Sequence, residues 1–586
     1  MASLSSPPTS TTTSATTLAT NISNPLFPKT SQFSLPGCRN RRHVMPKISC
    51  KVDKDELYPK TTNDDGNTNK LDRRNMLIGL GSIYGAGTTL GGGPATLAAP
   101  LITPNPTEFG ASDVGLNCCP PTARNIVDFQ LPPQPTTLRV RPPAHLVDDQ
   151  YLQKFSRAIS LMKALPANDP RNFSQQANVH CAYCDGGYTQ TGFPNLELQV
   201  HFSWLFFPFH RFYLYFFERI LGKLINDPSF AIPFWNWDTP AGMQIPGIYT
   251  SPNSPLYDPR RDRAHQPPRV IDLNYDGQDD PNDLTGQDLI SANLTLMYRQ
   301  MVSNSTTTRL FLGQPFRVGN RPSPGAGSIE NVPHGPVHVW TGDPNQPNGE
   351  DMGTFYSAAR VPIFYAHHAI VDRMWAIWNA LGNDRQDFTD SDWLNASCIV
   401  YGGNGQAVRV PSRDSLDKAR LGYTYQGVDL PEWPSSPTPQ RSKLNTTSRI
   451  PMSPTLSTVK FPRALDSVIR TDVKRSKKSR GRREKEVEEE ILVIEIELEK
   501  DIYVKFDVHV NDEDEVPFKK TRVLTEFAGS FVNVPHKHHK EGQHGMKTAL
   551  RLGLTALIEE LGADDDETVT ITLVPRAGND VVVTRM

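Results

Sequence analysis

The chain has 586 residues, long enough for three or four average domains or one large domain with appendages, and its 37% hydrophobic, 9% aromatic and 21% charged residues describe an ordinary globular protein. A formal net charge of -2 gives no electrostatic footing for nucleic acid or an anionic membrane as the main partner. The 51 prolines and 40 glycines predict a fold rich in loops.

The first fifty residues hold no Asp or Glu, are crowded with Ser and Thr from Ser3 to Thr20, and carry Arg39, Arg41, Arg42 and Lys47, the composition of a plastid transit peptide. Arg73-Arg74 then precede a Gly-rich apolar stretch ending at the small residues Ala98-Ala99, which reads as a twin-arginine signal with a cleavage site. A membrane anchor is the competing reading, but the glycines leave the stretch weakly apolar. Two signals in series predict that residues 1–100 are a targeting region and that the mature chain begins near Leu101 in the thylakoid lumen of the chloroplast, soluble or weakly thylakoid-associated.

Beyond a proline-rich start, Tyr151, Phe155, Ile159 and Met162 recur at helical spacing and predict a helix from Tyr151 to Leu165. The run Phe202 to Leu221, FSWLFFPFHRFYLYFFERIL, is apolar enough to span a membrane, but His210, Arg211, Glu218 and Arg219 interrupt it and favour a buried core helix. VDRMWAIWNALG, Val371 to Gly382, predicts a helix stopped by glycine. A Pro/Ser/Thr-rich linker at 431–454 separates this part from KRSKKSRGRREKEVEEE, which reads as a solvated, accessible charged segment. ILVIEIEL, DIYVKFDVHV and TVTITLV then alternate with period two, so a small β-rich, sandwich-like domain is expected over 455–586.

Nine of the 15 histidines fall between Leu101 and Leu430. His334 and His338 in HGPVHVW are four apart, so a helix projects both imidazoles from one face toward one metal ion. His201 and His210, nine apart, would lie on opposite faces of a single helix, and Pro208 is expected to break the chain between them. His368 is expected to open a third helix, with Asp372 one turn on, where a carboxylate either orients an imidazole or pairs with an arginine. His180 lies in VHCAYC, a His-Cys-x-x-Cys group compatible with half a zinc site, a thiol redox pair or a reversed haem attachment. Three helices delivering histidines to one place predict a metal centre without naming its metal.

Taken together, VHCAYC, the H-x8-H run from His201, PHGPVHVWTGD and FYAHHAIVDRMW resemble the plant polyphenol oxidases, type-3 copper proteins of the tyrosinase and catechol oxidase family; DWLNAS (392–397) and KFDV (505–508) resemble that family's two C-terminal signatures. The resemblance implies a mainly α catalytic domain over 101–430 with a helix-bundle dinuclear copper core. One copper is then held by His180, His201 and His210, and the other by His334, His338 and His368, with His367 left out because it points about 100° away on a helix. Six neutral imidazoles suit copper. Haem attachment needs C-x-x-C-H and zinc a second Cys/His pair; in the family, instead, Cys184 joins His201 through a thioether and Cys181 pairs with the Cys118-Cys119 dipeptide, most simply with Cys118. The cross-link would restrict the ligand ring.

The implied activity is oxidation of o-diphenols to o-quinones by O2, with monophenol hydroxylation or a specialised biosynthetic oxidation as the alternative and a haemocyanin-type oxygen carrier as the rival from another class. Glu330 corresponds to a residue holding a water that takes the phenolic proton, against a plain helix-start carboxylate. Phe355 resembles the aromatic leaning over the first copper. Gly335 and Val339 flank the second site as gating positions, and a glycine at 335, where some relatives carry Asn, favours diphenols. Relatives with KFDV tails are stored latent, so the tail is expected to cover the site until a maturation protease cuts after Tyr423-Thr-Tyr425. Three departures stand out: the stretch ITPNPTEFGASDVGLN (102–117) before the Cys118-Cys119 pair lacks the further cysteine relatives carry there, Val361 replaces an Asp before Pro-Ile-Phe, and Ala369-Ile370 replace Ser-Asn.

Overall fold

A computed structural model describes residues 99–103, 121–122, 125–382, 385–428, 433, 459–512, 526–536, 545–578 and 580–586. Every described residue belongs to one compact unit. The expected targeting region up to residue 98, Cys118, Cys119 and nearly all of the expected linker lie outside the described residues.

The first part is helical around one aromatic-rich core. Helix α1 (Asp149–Lys163) begins where the Asp148 carboxylate accepts the Tyr151 N–H at 2.8 Å, and it buries Phe155, Ile159 and Met162 as their spacing predicts. Helix α2 (Phe173–Cys184) is capped by Asn172, whose side chain accepts the Ser174 N–H, and VHCAYC forms its last turns. Helix α3 (Phe206–Leu224) is buried nearly all round, as a core helix is. Pro208 does not break the chain as expected. It lies in the first turn of α3, where a proline's missing N–H costs nothing, and the irregular backbone falls just before it. Among the described residues no helix is long and apolar enough to cross a membrane.

Helix α4 (Gly286–Tyr298) follows, then a single wide turn, Glu330–His334, leading into α5 (Gly335–Thr341). Helix α6 (Pro362–Ala380) starts with proline at its first position behind the extended Val361 (φ -124°, ψ 140°). His368 therefore sits inside α6 rather than opening it, because the pre-organised proline nucleates the helix earlier than the VDRMW periodicity shows. Short strands brace the helices: β1 (Ile126–Asp128), β2 (Arg139–Arg141), the hairpin β3 (Tyr188–Gln190) and β4 (Phe193–Leu198), β5 (Ser397–Tyr401), β6 (Ala407–Pro411) and β7 (Tyr423–Tyr425). They form a β1-β6-β5 sheet and a parallel β2-β7 pair.

The C-terminal part contains two four-stranded antiparallel sheets. Strands β8 (Arg463–Ala464), β9 (Ile469–Lys474), β10 (Ile491–Glu499), β11 (Val504–Val510), β12 (Phe527–Asn533), β13 (Gly545–Gly553), β14 (Thr568–Ala577) and β15 (Val582–Arg585) are ordered β13-β10-β15-β8 and β12-β11-β14-β9. In β10 the alternation turns Leu492, Ile494, Ile496 and Leu498 inward. Strands β11 and β12 are buried on both faces. Ala528 and Phe531 of β12 fill the sandwich core, whereas Phe527, Val532 and, just beyond, Val534 join the core of the helical domain. The charged segment before β10 is less open than its composition implies: Arg475 and Arg480 are buried and both reach Glu490, at 3.0 and 3.4 Å, and Arg482–Val487 is a short helix.

Candidate metal centre

Two histidine-rich groups face one another at the centre of the helical domain. In the first, His180 from α2, His201 from the turn before α3 and His210 from the second turn of α3 place their ring centroids 5.3–6.0 Å apart. In the second, His334 and His338 lie 4.6 Å apart, and His368 from α6 lies 5.1 and 5.6 Å from them. The groups meet where His210 stacks on His368 at 4.2 Å and 13°. One atom from each of His180, His201, His210 and the Cys184 thiol fall within 4.8 Å of one another, and so do atoms of His334, His338, His367 and His368.

His367 is thus brought into the second group, although sequence reasoning had set it aside. A 100° step along α6 leaves its ring 4.9 Å from that of His338, and Trp237 Nε1 donates to its Nδ1 at 3.3 Å. The first ligand-like nitrogens to find protein partners are those facing outward: His210 Nδ1 meets the Phe206 carbonyl at 2.8 Å, His334 Nδ1 the Glu330 carbonyl at 3.0 Å, and His338 Nδ1 the Met352 carbonyl at 2.8 Å. Both ring nitrogens of His180, His201 and His368, and Nε2 of His210 and His367, are buried with no hydrogen-bond partner among the described residues. Orphaned buried nitrogens are costly, and so many around one centre mark a place built for an electrophile they can share.

Burial, reinforced for most of them by the neighbouring imidazoles, lowers the pKa of these histidines well below its ordinary value; His210 falls to about 3 and His338 to about 4. The rings are therefore neutral donors, the form a metal takes. Two sets of neutral imidazoles suit copper, and the pair of groups is typical of a type-3 dicopper site.

Of the two roles expected for Asp372, orienting an imidazole or pairing with an arginine, the structure has the second. The Asp372 carboxylate takes Arg211 Nε at 2.5 Å, Arg141 Nη1 at 3.1 Å and the hydroxyls of Tyr423 and Tyr425, while Glu218 takes Arg141 Nε at 2.9 Å. This buried network binds α6 to α3 and both to β2 and β7, so Asp372 sets the distance between the helices that carry His368 and His210. Glu330 is buried, and its two carboxylate oxygens accept the backbone N–H groups of Phe202 and Gly327. Burial raises its pKa well above the ordinary range against those two bonds. Phe355 lies flat on His201, with centroids 3.9 Å apart and planes 5° apart. Cys184 is buried and carries no disulfide, Cys181 is disulfide-bonded, and the expected partner Cys118 lies outside the described residues.

Sequence reasoning missed the groups that lie over this centre. The segment after β11 returns as β12 and runs across it: Val532 N–H donates to Asn331 Oδ1 at 3.3 Å, and the Pro535 carbonyl accepts both the Phe355 N–H at 3.2 Å and the Thr354 hydroxyl at 2.9 Å. His536 packs edge-on against Phe355 at 4.9 Å. Around this seam Lys500 pairs with Glu197 at 2.8 Å, Arg299 with Glu560 at 2.7 Å, and Asn304 donates to the Ala528 carbonyl at 2.7 Å. The apolar FVNVP run, followed by His536, was the available signal, but nothing local says which surface such a strand end meets.

Three family descriptions match the chain: "Common central domain of tyrosinase" over residues 170–381, "Polyphenol oxidase middle domain" over 387–438 and "Chloroplastic Polyphenol Oxidase C-terminal domain" over 461–585. A chloroplastic polyphenol oxidase of Malus domestica is 53% identical over 596 residues, covering 98% of this chain and 97% of that one. (+)-Larreatricin hydroxylase of Larrea tridentata is 48% identical, covering 96% and 95%. The solved structure of latent apple tyrosinase superposes with a TM-score of 0.74 at 57% identity, covering 78% of this chain and 98% of that one. The oxygen-carrier alternative falls with these matches, and the chain belongs to the chloroplastic polyphenol oxidases of the tyrosinase family, enzymes with a helical dicopper domain and a β-sheet C-terminal domain, made in a latent form.

Proposed function

We propose that the chain oxidises o-diphenols to o-quinones, two diphenols per O2 reduced to two waters, and that His180, His201 and His210 hold one copper while His334, His338 and His368 hold the other. The observation that carries this reading is the set of orphaned imidazole nitrogens converging from two sides. His368 is preferred over His367 because both its nitrogens are unpartnered and its ring stacks on His210, whereas Trp237 donates to His367 Nδ1 and so leaves that neutral ring's proton on Nε2. When bound, copper supplies the reversible one-electron couples that let O2 collect electrons from a phenol.

The chain's own residues do the rest. The Phe206, Glu330 and Met352 carbonyls orient His210, His334 and His338 through Nδ1, leaving Nε2 to face inward. Phe355, stacked on His201, is assigned to steer an aromatic substrate, and Gly335 and Val339, each one residue beyond an assigned copper ligand, are assigned as gating positions. Glu330, buried one turn before His334, is assigned to hold the water that takes the phenolic proton. Cys184 and His201 are assigned the thioether, for which their proximity is the support, and Cys181 the disulfide to Cys118. We assign residues 1–100 to targeting to the thylakoid lumen, 101–430 to catalysis, 431–454 to the linker and 455–586 to the cover.

A monophenol-hydroxylating or specialised role remains the second reading, favoured by the larreatricin hydroxylase relative. The test is oxidation of catechol, and of a panel of monophenols, by residues 101–586 and by residues 101–440 at equal copper content. Equal rates for the two forms overturn the cover; no catechol oxidation by the copper-loaded shorter form overturns the reaction.

A further inference from the structure

Gly335 stands directly after His334 at the start of α5, and its backbone is ordinary right-handed helix (φ -58°, ψ -53°). Any L-residue adopts that conformation, and glycine is among the poorest choices for a helix, so the backbone gives no reason for it. The reason lies opposite. A Cβ built on Gly335 would lie 2.7 Å from Cγ1 and 3.3 Å from Cβ of Val532, and 3.5 Å from Cγ2 of Val534, all of them atoms of the C-terminal domain. Gly327 and Gly342 differ: there a Cβ would strike the backbone of the helical domain itself, at 1.9 Å from the Phe311 carbonyl oxygen and 2.3 Å from that of Gly349. Val532 cannot swing aside, since its branched side chain is stiff about χ1 and its N–H is bonded to Asn331.

Building on the latency of this chain, we propose that Gly335 is the seat of the cover: the missing side chain admits Val532, and residue 335 thereby sets how completely the C-terminal domain closes the dicopper pocket as well as how much room a phenol has once the cover is gone. Position 335 is then under two constraints, a small residue being required by the latent form and substrate fit by the active one.

The test uses the full chain before and after proteolysis between the domains. For each variant the ratio of catechol oxidation after cutting to that before it is measured, so an effect on catalysis cancels within the variant. Gly335→Ala lowers this ratio by about fivefold to a hundredfold, the range expected for overpacking a close contact; Val532→Ala in the same chain restores it, as a direct pairwise contact requires. Amide exchange at Val532, followed in copper-free protein, speeds up in Gly335→Ala and recovers in the double variant. If Gly335→Ala does not fold, Val532→Leu crowds the same contact from the other side and lowers the ratio instead. A Gly335→Ala or Val532→Leu chain as latent as the parent, with exchange unchanged, overturns the proposal. A parent chain showing no latency at all overturns the cover itself, and is read from the unmodified protein alone.

Discussion

Asp372→Asn is the substitution that tests how the two halves of the metal centre are held. The carboxylate is buried and receives two guanidiniums, Arg211 at 2.5 Å and Arg141 at 3.1 Å, together with two phenol hydroxyls. Asparagine keeps the shape and one carbonyl acceptor but removes the charge, and with Arg141 and Arg211 both enclosed, the loss leaves their buried positive charge undercompensated, since Glu218 is shared between Arg141 and Arg139. Breaking a buried pair in this way costs about 3–5 kcal/mol. At about 2–4 °C per kcal/mol for a domain of this order of size, the melting temperature falls by roughly 6–20 °C. Circular dichroism at pH 7 on the metal-free protein measures it without interference from copper, and copper retention after dialysis reports the spacing of α3 and α6. Burial alone would raise the Asp372 carboxyl, but Arg211, Arg141 and the two tyrosines hold it below its ordinary value. A depressed folded pKa contributes stability above the unfolded value and loses it as pH falls through the folded one, so the parent weakens below about pH 4, where the Asn variant, lacking the group, no longer does so for this reason. A shift of less than about 2 °C at pH 7, or an unaltered acid limb in the variant, refutes the argument.

Three further outcomes are expected. His201→Ala and His338→Ala each lose at least one copper per chain by elemental analysis and with it catechol oxidation, because each removes one of the three imidazoles assigned to its copper; a variant retaining both ions and full rate refutes the ligand set. A tryptic digest of the copper-loaded enzyme contains the Cys184 and His201 peptides joined and resistant to reductant, since the thiol and the ring lie within 4.8 Å, whereas recovery of unmodified Cys184 from active enzyme refutes the thioether. Val361→Asp supplies the side-chain cap that α6 lacks and raises stability by about 1 kcal/mol, read as a melting temperature higher by about 2–4 °C; a lower one shows that burying the carboxylate outweighs the cap.

Much was legible in the chain itself. The helical spacing of Phe155, Ile159 and Met162, the i,i+4 pair His334 and His338, and the period-two runs of β10, β11 and β14 are local regularities, and the elements appear where they predict. Spacing alone led to a metal centre without its metal; the six histidines were named through the resemblance to the copper proteins, and the fold brings them into two groups. What only the tertiary structure decided are matters of encounter between distant segments. Asp372 turned to Arg141 and Arg211 rather than to an imidazole, His367 joined the second group through Trp237, and Arg475 and Arg480 left solvent for Glu490. The contact of Val532 with Asn331 spans 201 residues of sequence. Periodicity and capping are set by neighbours a few residues away and leave their mark in composition, whereas the meeting of β12 with Gly335 depends on how two separately built cores dock. A glycine in a helix has an unremarkable conformation until the side chain that fills its place is seen.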